Sequence, residues 1–539
     1  METKRTLLAV VLSMAVLVLF QYFFAPPPPK KGEPPAKPSA QETQPSAPEV
    51  RTPTQVPAAT DTAPAALPAA PAKVETRVLE NRDLRVVISS LGAAIRGVEL
   101  KGYLDKGEKG GRPVSLLTSP SGLDRVGLVR LAGRNQPGET VFRVVDATDR
   151  RVVLAWEGGN GLRVVQTYEL PPEGFALNVR VDVENLGTAP LSDRLAWTMV
   201  RDFTAATKDK MSRYNFHGPA YLKDGEYEEL KLKKLEDGVT AAGRIGWAAF
   251  VDGYFLVAAL PREGQVQELR VGRFQGRENV AVAELRFPAT DIPPGGSVRQ
   301  ELRVFAGPKL REALAPLGSD LTKVVHYGFF HPVAVPLLWF LKAIYRVTGN
   351  YGVAIIVLTV LVKLIFWPLS AKSYRSMQKM KEIQPKLQRI KEKCGDDKER
   401  LNREMMQLYK THKVNPMGGC LPMLVQIPVF FALYRVLLGS IELRHAPFFW
   451  WIQDLSAKDP YYITPLLMGA TMFLQQKLTP ATGANEGQMK MMMYGMPVVF
   501  TFLFLNFPSG LVLYWLVNNV LSVAQQAWMM RETRKPAPA

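Results

Sequence analysis

Two rhythms of apolar and polar residues divide the chain. Between residues 74 and 316 the two kinds alternate every second position, as in Leu84-Arg85-Val86-Val87-Ile88, the period of a half-buried strand. Segments 84–88, 162–170, 175–184, 281–287 and 298–305 all read this way. Turn clusters such as Pro171-Pro172-Glu173-Gly174 and Pro293-Pro294-Gly295-Gly296 separate them. Many short strands at this spacing predict a large antiparallel β-sandwich or barrel rather than a parallel sheet with crossover helices. Beyond Pro316 the pattern lengthens into apolar runs at 351–369, 421–438, 461–478, 494–506 and 511–528. A helix needs about 20 apolar residues to cross hydrocarbon. These runs therefore predict five membrane spans, the fourth of them short.

One more apolar run, residues 6–24, follows Lys4 and Arg5. It is long enough to span, and Ala25 leads straight into Pro26-Pro27-Pro28-Pro29 with no small-x-small cleavage site before it. The run reads as an uncleaved anchor. Residues 25–73 are rich in Pro, Ala, Thr, Glu and Lys, a composition that buries too little to offset its ordering entropy and so predicts a disordered linker. Residues 324–347 carry Tyr327, Phe329, Phe330, Trp339, Phe340 and Tyr345 with few charges. Aromatic enrichment suits an amphipathic helix lying in the outer interface, and Pro332 and Pro336 argue against one straight helix. The expected domains are an anchor at 1–24, the linker at 25–73, the β-sandwich at 74–320 and the interfacial helix at 321–350. A five-helix core at 351–530, including a cytoplasmic helical hairpin at 371–416, and a basic tail at 531–539 complete the chain.

Charge orients these segments. The loop 371–416 holds 13 Lys or Arg against 6 Asp or Glu, whereas 439–460 holds only Arg444 and Lys458 as basic residues. By the positive-inside rule the long loop and the C-terminus are cytoplasmic. With the anchor this makes six spans, both termini inside, and the β domain outside the cytoplasm. The net charge of +18 suits an anionic partner, lipid headgroups or nucleic acid. Cys394 and Cys420 both fall on the cytoplasmic side, where thiols stay reduced, so no disulfide is expected.

Four features could carry function. Lys363 lies within an apolar run, roughly 10 Å from its cytoplasmic end at about 1.5 Å rise per residue. An intramembrane cation normally meets a partner or water, yet one this near the interface can also snorkel to the headgroups; both readings stand. Thr359 lies one turn deeper on the same face. In the last span Tyr514, Asn518 and Ser522 recur every fourth residue, widened by Asn519 and Gln525-Gln526, as interhelical bonds or as the wall of a wet groove. In the basic loop Met377, Met380, Ile383, Leu387 and Ile390 form one apolar seam, repeated by Leu401, Met405 and Leu408 after the turn at Cys394-Gly395-Asp396-Asp397. Its basic outer surface suits ribosomal RNA or anionic lipid, or is simply solvated. Met489, Met491, Met492, Met493 and Met496 offer either adaptable apolar surface or interface packing. The chain has no Walker-type phosphate loop or nucleophile elbow, and its five histidines lack metal-ligand spacing. Neither enzyme activity, nor a cofactor, nor a metal is expected.

From Asn415-Pro416-Met417-Gly418-Gly419-Cys420-Leu421-Pro422-Met423 onward the text resembles the YidC/Oxa/Alb insertase family. Gln426-Ile427-Pro428-Val429-Phe430, Asp459-Pro460-Tyr461-Tyr462 and Phe507-Pro508-Ser509-Gly510-Leu511 are similar to it in the same order, as are Glu404-Met405-Met406 and Leu408-Tyr409-Lys410. The anchor, linker and large outer domain resemble the version found in bacteria with two membranes, where that domain is a galactose-mutarotase-like super-sandwich. The resemblance implies a non-enzymatic inner-membrane insertase and chaperone with a hydrophilic groove open to the cytoplasm. It implies groove residues Lys363, Thr359, Tyr514, Trp515 and Asn518, and a hydrophobic client slide at Val429, Phe430, Phe500 and Phe504. Implied partners are nascent membrane proteins, the Sec translocon, the ribosome and signal recognition pathway, and anionic lipids. Lys363 stands where the family commonly has arginine, which keeps the charge and loses the planar fork of donors. Two rivals differ in kind. A small-solute transporter would show paired repeats, and none is seen. A membrane-anchored carbohydrate-binding or epimerase protein would need only one span.

Overall fold

The computed structural model describes residues 73–533, apart from 108–109, 118, 120, 132–139, 159–160, 209–214, 396, 413, 415–420 and 479–490. The anchor at 1–24, the linker up to residue 72, the motif residues 415–420, Met489 and the tail end at 534–539 lie outside the described residues.

Alternation produces sheets. Strand Ala176–Asn185 buries Leu177, Val179, Val181 and Val183 and turns Asn178 outward. Two nine-stranded antiparallel sheets form among the described residues. One runs from Thr76–Glu80 at one edge to Val239–Ala242 at the other, and the second from Glu226–Glu229 to Arg143–Ala147. Their inner faces close on Tyr168, Trp197, Phe250 and Phe287, all buried. The Tyr168 hydroxyl would be an unpaired polar group there, and it donates to the Ala93 carbonyl at 2.6 Å. Gly127, at φ 108°, lies directly under that hydroxyl, where a Cβ would collide with it.

The connector after the last strand is packed down rather than loose. Leu314, Leu321 and Val324 bury against Trp247, Leu256 and Phe305, and Arg303 donates to the Leu317 carbonyl at 2.6 Å. Helix α1 follows, His331–Thr348, ended by Gly349 in the left-handed region at φ 64°. Over 324–347, where the prolines argued against one straight helix, 3-10 turns at Leu321–Val324 and Gly328–Phe330 precede a helix that continues through both prolines. Pro332 sits in the first turn, where the missing N–H has no helical partner, and Pro336 removes only the bond to the Pro332 carbonyl.

Helix α2, Tyr351–Ile365, is capped by Asn350, whose side chain accepts from Val353 N at 3.1 Å. It meets α3, Trp367–Cys394, at a bend of 61°. The Pro368 ring would strike the Leu364 carbonyl in a continuous helix, which accounts for the break. Helices α3 and α4, Lys398–Thr411, form a hairpin over Met380, Ile383, Leu387 and Val414, with Met405, Leu408 and Tyr409 against them. Then come α5, Leu421–Gly439, α6, Ile463–Leu478, a wide turn at Met491–Gly495 leading into α7, Met496–Phe504, and α8, Ser509–Thr533. Among the described residues Gly328–Thr348 is long and apolar enough to cross a bilayer, and α2 with α3 qualifies across its bend. Helices packed this closely need small residues at the crossings. A Cβ on Gly469 of α6 would strike the Thr501 hydroxyl of α7, and one on Gly352 would enter the ring of Phe448 in the segment between α5 and α6.

The segment between α5 and α6 binds the helices to the sandwich. Ile441 belongs to the β core. Arg444 donates to the carbonyls of Leu104 and Asp105 and lies 5.4 Å from the Phe255 ring centre. Lys342, in mid-α1, pairs with Glu312 at 3.0 Å and with Glu442 at 2.6 Å. Asp459 caps α6, accepting from the Thr464 N–H at 2.8 Å and its hydroxyl at 2.7 Å. Ser509 opens α8 with its N–H donating to the Ala457 carbonyl at 2.7 Å and its hydroxyl 2.9 Å from the Asp454 and Ala457 carbonyls, able to donate to one of them.

Candidate functional site

Lys363 is half-buried although Leu361, Leu364 and Ile365 around it are exposed on the apolar outside of α2. The side chain therefore turns inward, toward α8. There its ammonium donates to the Ser522 hydroxyl at 2.7 Å. Ser522 in turn donates to the Asn518 carbonyl one turn earlier, also at 2.7 Å. The Asn518 side chain accepts from Gln426 Nε2 of α5 at 2.8 Å. Three helices are thus joined by one polar chain running Lys363, Ser522, Asn518, Gln426. Among the described residues no carboxylate pairs with Lys363. The hydrogen bond it makes among them is to a neutral hydroxyl, which compensates a cation only weakly.

The flanks of this chain combine polar atoms with aromatic rings. Tyr514 is buried within hydrogen-bonding reach of Gln426 and stacks at 6.4 Å on Phe430. Trp515 packs edge-on against Phe430 at 4.7 Å and against Phe504 at 5.3 Å. Its indole N–H, Asn519 Nδ2 and Gln525 Nε2 are buried without a partner among the described residues. Unmatched donors along one helix face suit a site that meets water or a ligand. Where the polar strip ends toward the α3 junction, Trp367 lies 5.5 Å from Trp528.

The expected residues are not all in one place. Lys363 and Asn518 share the polar chain, and Tyr514 and Trp515 border it. Thr359 is buried in the helix packing, its hydroxyl donating at 2.6 Å to the Ile355 carbonyl of its own helix. Val429, Phe430 and Phe500 are half-buried around Trp515, while Phe504 is enclosed beneath them. The outward apolar surface of α7 is instead Val498, Val499, Phe502 and Leu503. Ser522 and Gln426 complete the chain; the resemblance implied neither, although the polar face of the last helix had included Ser522. The fourfold spacing of Tyr514, Asn518 and Ser522 was the available signal for the first. Gln426 carried none beyond its place in a recognised motif.

Two family models match the chain, one described as 60Kd inner membrane protein over residues 343–536 and one as YidC periplasmic domain over 76–340. A protein of Geobacter sulfurreducens named membrane protein insertase YidC is 43% identical over 98% of this chain and 98% of its own. One of the same name from Nitratidesulfovibrio vulgaris strain DP4 is 44% identical over 83% of this chain and 85% of its own. Among solved structures, an active YidC insertase with its first transmembrane domain resolved is 21% identical, with TM-score 0.36, covering 84% of this chain and 93% of that one. A putative aldose 1-epimerase from Escherichia coli is 15% identical, with TM-score 0.31, over 43% of this chain and 99% of that one.

Proposed function

Because the chain belongs to the YidC family of membrane protein insertases, we propose that it works through a polar groove between α2, α5 and α8 whose charge is Lys363. It is an inner-membrane protein with a periplasmic β-sandwich domain, and nascent membrane proteins are its substrates. The groove opens to the cytoplasm. Six spans, the N-terminal anchor with α2, α5, α6, α7 and α8, leave both termini and the α3–α4 hairpin inside. The basic bias of 371–416 against 439–460 supports that orientation. Helix α1 lies along the periplasmic face. The Lys342 ion pairs, in the middle of that helix and made to groups on the β-domain side, support this over a crossing.

The observation that carries the proposal is an inward cation held by a neutral hydroxyl. An acidic residue at the centre of a membrane helix costs about 3 kcal/mol on insertion scales. A lysine about 4 Å away, at an effective dielectric near 20, contributes about 4 kcal/mol. One Lys363 therefore offsets roughly one client carboxylate. A polar groove also shortens the dry path for the client's hydrated segment. Once the client's own helix meets lipid, hydrophobic transfer completes the step without nucleotide hydrolysis. The apolar segment passes Val429, Phe430 and Phe500. The basic hairpin and tail receive clients from the ribosome and signal recognition pathway and contact anionic lipid, and larger clients are shared with the Sec translocon. The test is purified chain in proteoliposomes, with protease protection of a small client bearing an acidic translocated tail. Insertion above empty liposomes supports the reading. Equal insertion with a Lys363→Gln variant removes the charge from it.

A further inference from the structure

We infer that Ser522 is a positioning residue for Lys363, fixing where in the groove the client's carboxylate is met. The inference rests on the groove reading above and deepens it. A hydroxyl can give one proton and accept through two lone pairs. Ser522 gives its proton to the Asn518 carbonyl at 2.7 Å, so toward Lys363 it can only accept. That polarity suits an ammonium. Lysine is a compact charge on a flexible four-carbon stem, without the planar fork that pre-organises an arginine's donors. Untethered, it would spread over the groove or reach toward the headgroups. Ser522 binds one of the three ammonium protons and leaves two for a client.

The tether is itself anchored. Asn518 is held through its side chain by Gln426 of α5 at 2.8 Å, so the segment of α8 that carries Ser522 is fixed against a third helix. Ser522 is buried at 8% exposure, beside Asn519 at 4%. Its place against α2 therefore comes from packing and does not require the client. Holding the cation beforehand lowers the ordering cost when the carboxylate arrives. The outcome is specificity: acidic tails gain from the arrangement and neutral tails do not.

The experiment compares wild type, Ser522→Ala and Ser522→Thr in proteoliposomes. Two clients are used, alike except for an acidic or a neutral translocated tail. Acylation of Lys363 by a water-soluble amine reagent is read by mass spectrometry in the same samples. With Ser522→Ala we expect insertion of the acidic-tail client to fall about tenfold, that of the neutral-tail client to hold within twofold, and Lys363 acylation to rise severalfold. Ser522→Thr, which keeps the hydroxyl, should restore all three values. Equal loss for both clients would mark Ser522 as packing only and overturn the inference, as would unchanged acylation in Ser522→Ala. If wild type inserts neither client, the groove reading fails separately, and the acylation ratio still decides whether Ser522 holds Lys363.

Discussion

Replacing Arg444 by Ala should release the β domain from the membrane-side loop without unfolding either. Arg444 donates to the Leu104 and Asp105 carbonyls and lies 5.4 Å from the Phe255 ring centre. A hydrogen bond from a charged donor contributes about 1.5–3 kcal/mol, and a partly desolvated cation–π contact about 1 kcal/mol. The Leu104 carbonyl left behind can reach water, so its penalty is small. A loss of about 3 kcal/mol follows, which is roughly 100-fold in a local opening equilibrium at 1.36 kcal/mol per decade. Hydrogen exchange in detergent should show that acceleration in residues 101–106 and 441–446, with strand Ala176–Asn185 unchanged. Arg444→Lys should recover only part, because an ammonium keeps the charge but not the planar guanidinium that lies over the Phe255 ring. Unchanged exchange at both segments in Arg444→Ala would refute the reasoning and leave the tie to Ile441 packing and the Lys342 ion pairs.

Asp252 should make the β domain acid-sensitive. Burial pushes its carboxyl up, but the His217 bond and the Arg201 guanidinium outweigh this and hold it at about 2. A depressed folded-state value means the stabilisation, about 2 kcal/mol, is present above the ordinary carboxylate range near 4 and is lost as pH falls toward 2. Denaturation of a Val74–Val325 fragment followed by circular dichroism should show that slope, and Asp252→Asn should flatten it; identical slopes contradict the assignment. Asp459→Ala removes the acceptor for two Thr464 donors and one from the Tyr461 N–H at the start of α6. It should cost about 1–2 kcal/mol and lower the thermal midpoint in detergent, whereas Asp459→Asn, which keeps one acceptor oxygen, should retain part of it.

Strands were legible where burial alternates. The pattern over 162–170 and 175–184 meets observed strands Leu162–Glu169 and Ala176–Asn185 within a residue or two. Edge strands were not, since Glu226–Glu229 is almost wholly exposed and shows no alternation to read. The hairpin seam was visible because α3 and α4 are adjacent in sequence and share one period. Contacts between distant helices carry no such mark. Lys363 and Ser522 each stood out as polar residues in apolar text, yet 159 positions separate them and only the packing of α2 on α8 joins them. Recognised motifs likewise concealed their physical work. Asp459 and Ser509 cap α6 and α8 and tie the segment before α6 to α8, apart from the polar chain at Lys363. At α1 the prolines did not end the helix, because Pro332 falls in its first turn and Pro336 one turn later.

The most direct test of the central claim is a charge exchange. Wild type and a Lys363→Glu variant would each be reconstituted with two clients that differ only in an acidic or a basic translocated tail, and the ratio of protected product measured. Wild type should favour the acidic tail and the variant the basic one, reversing the ratio by at least tenfold across the pair. A ratio that stays the same in both chains would contradict a groove that works through the charge at Lys363.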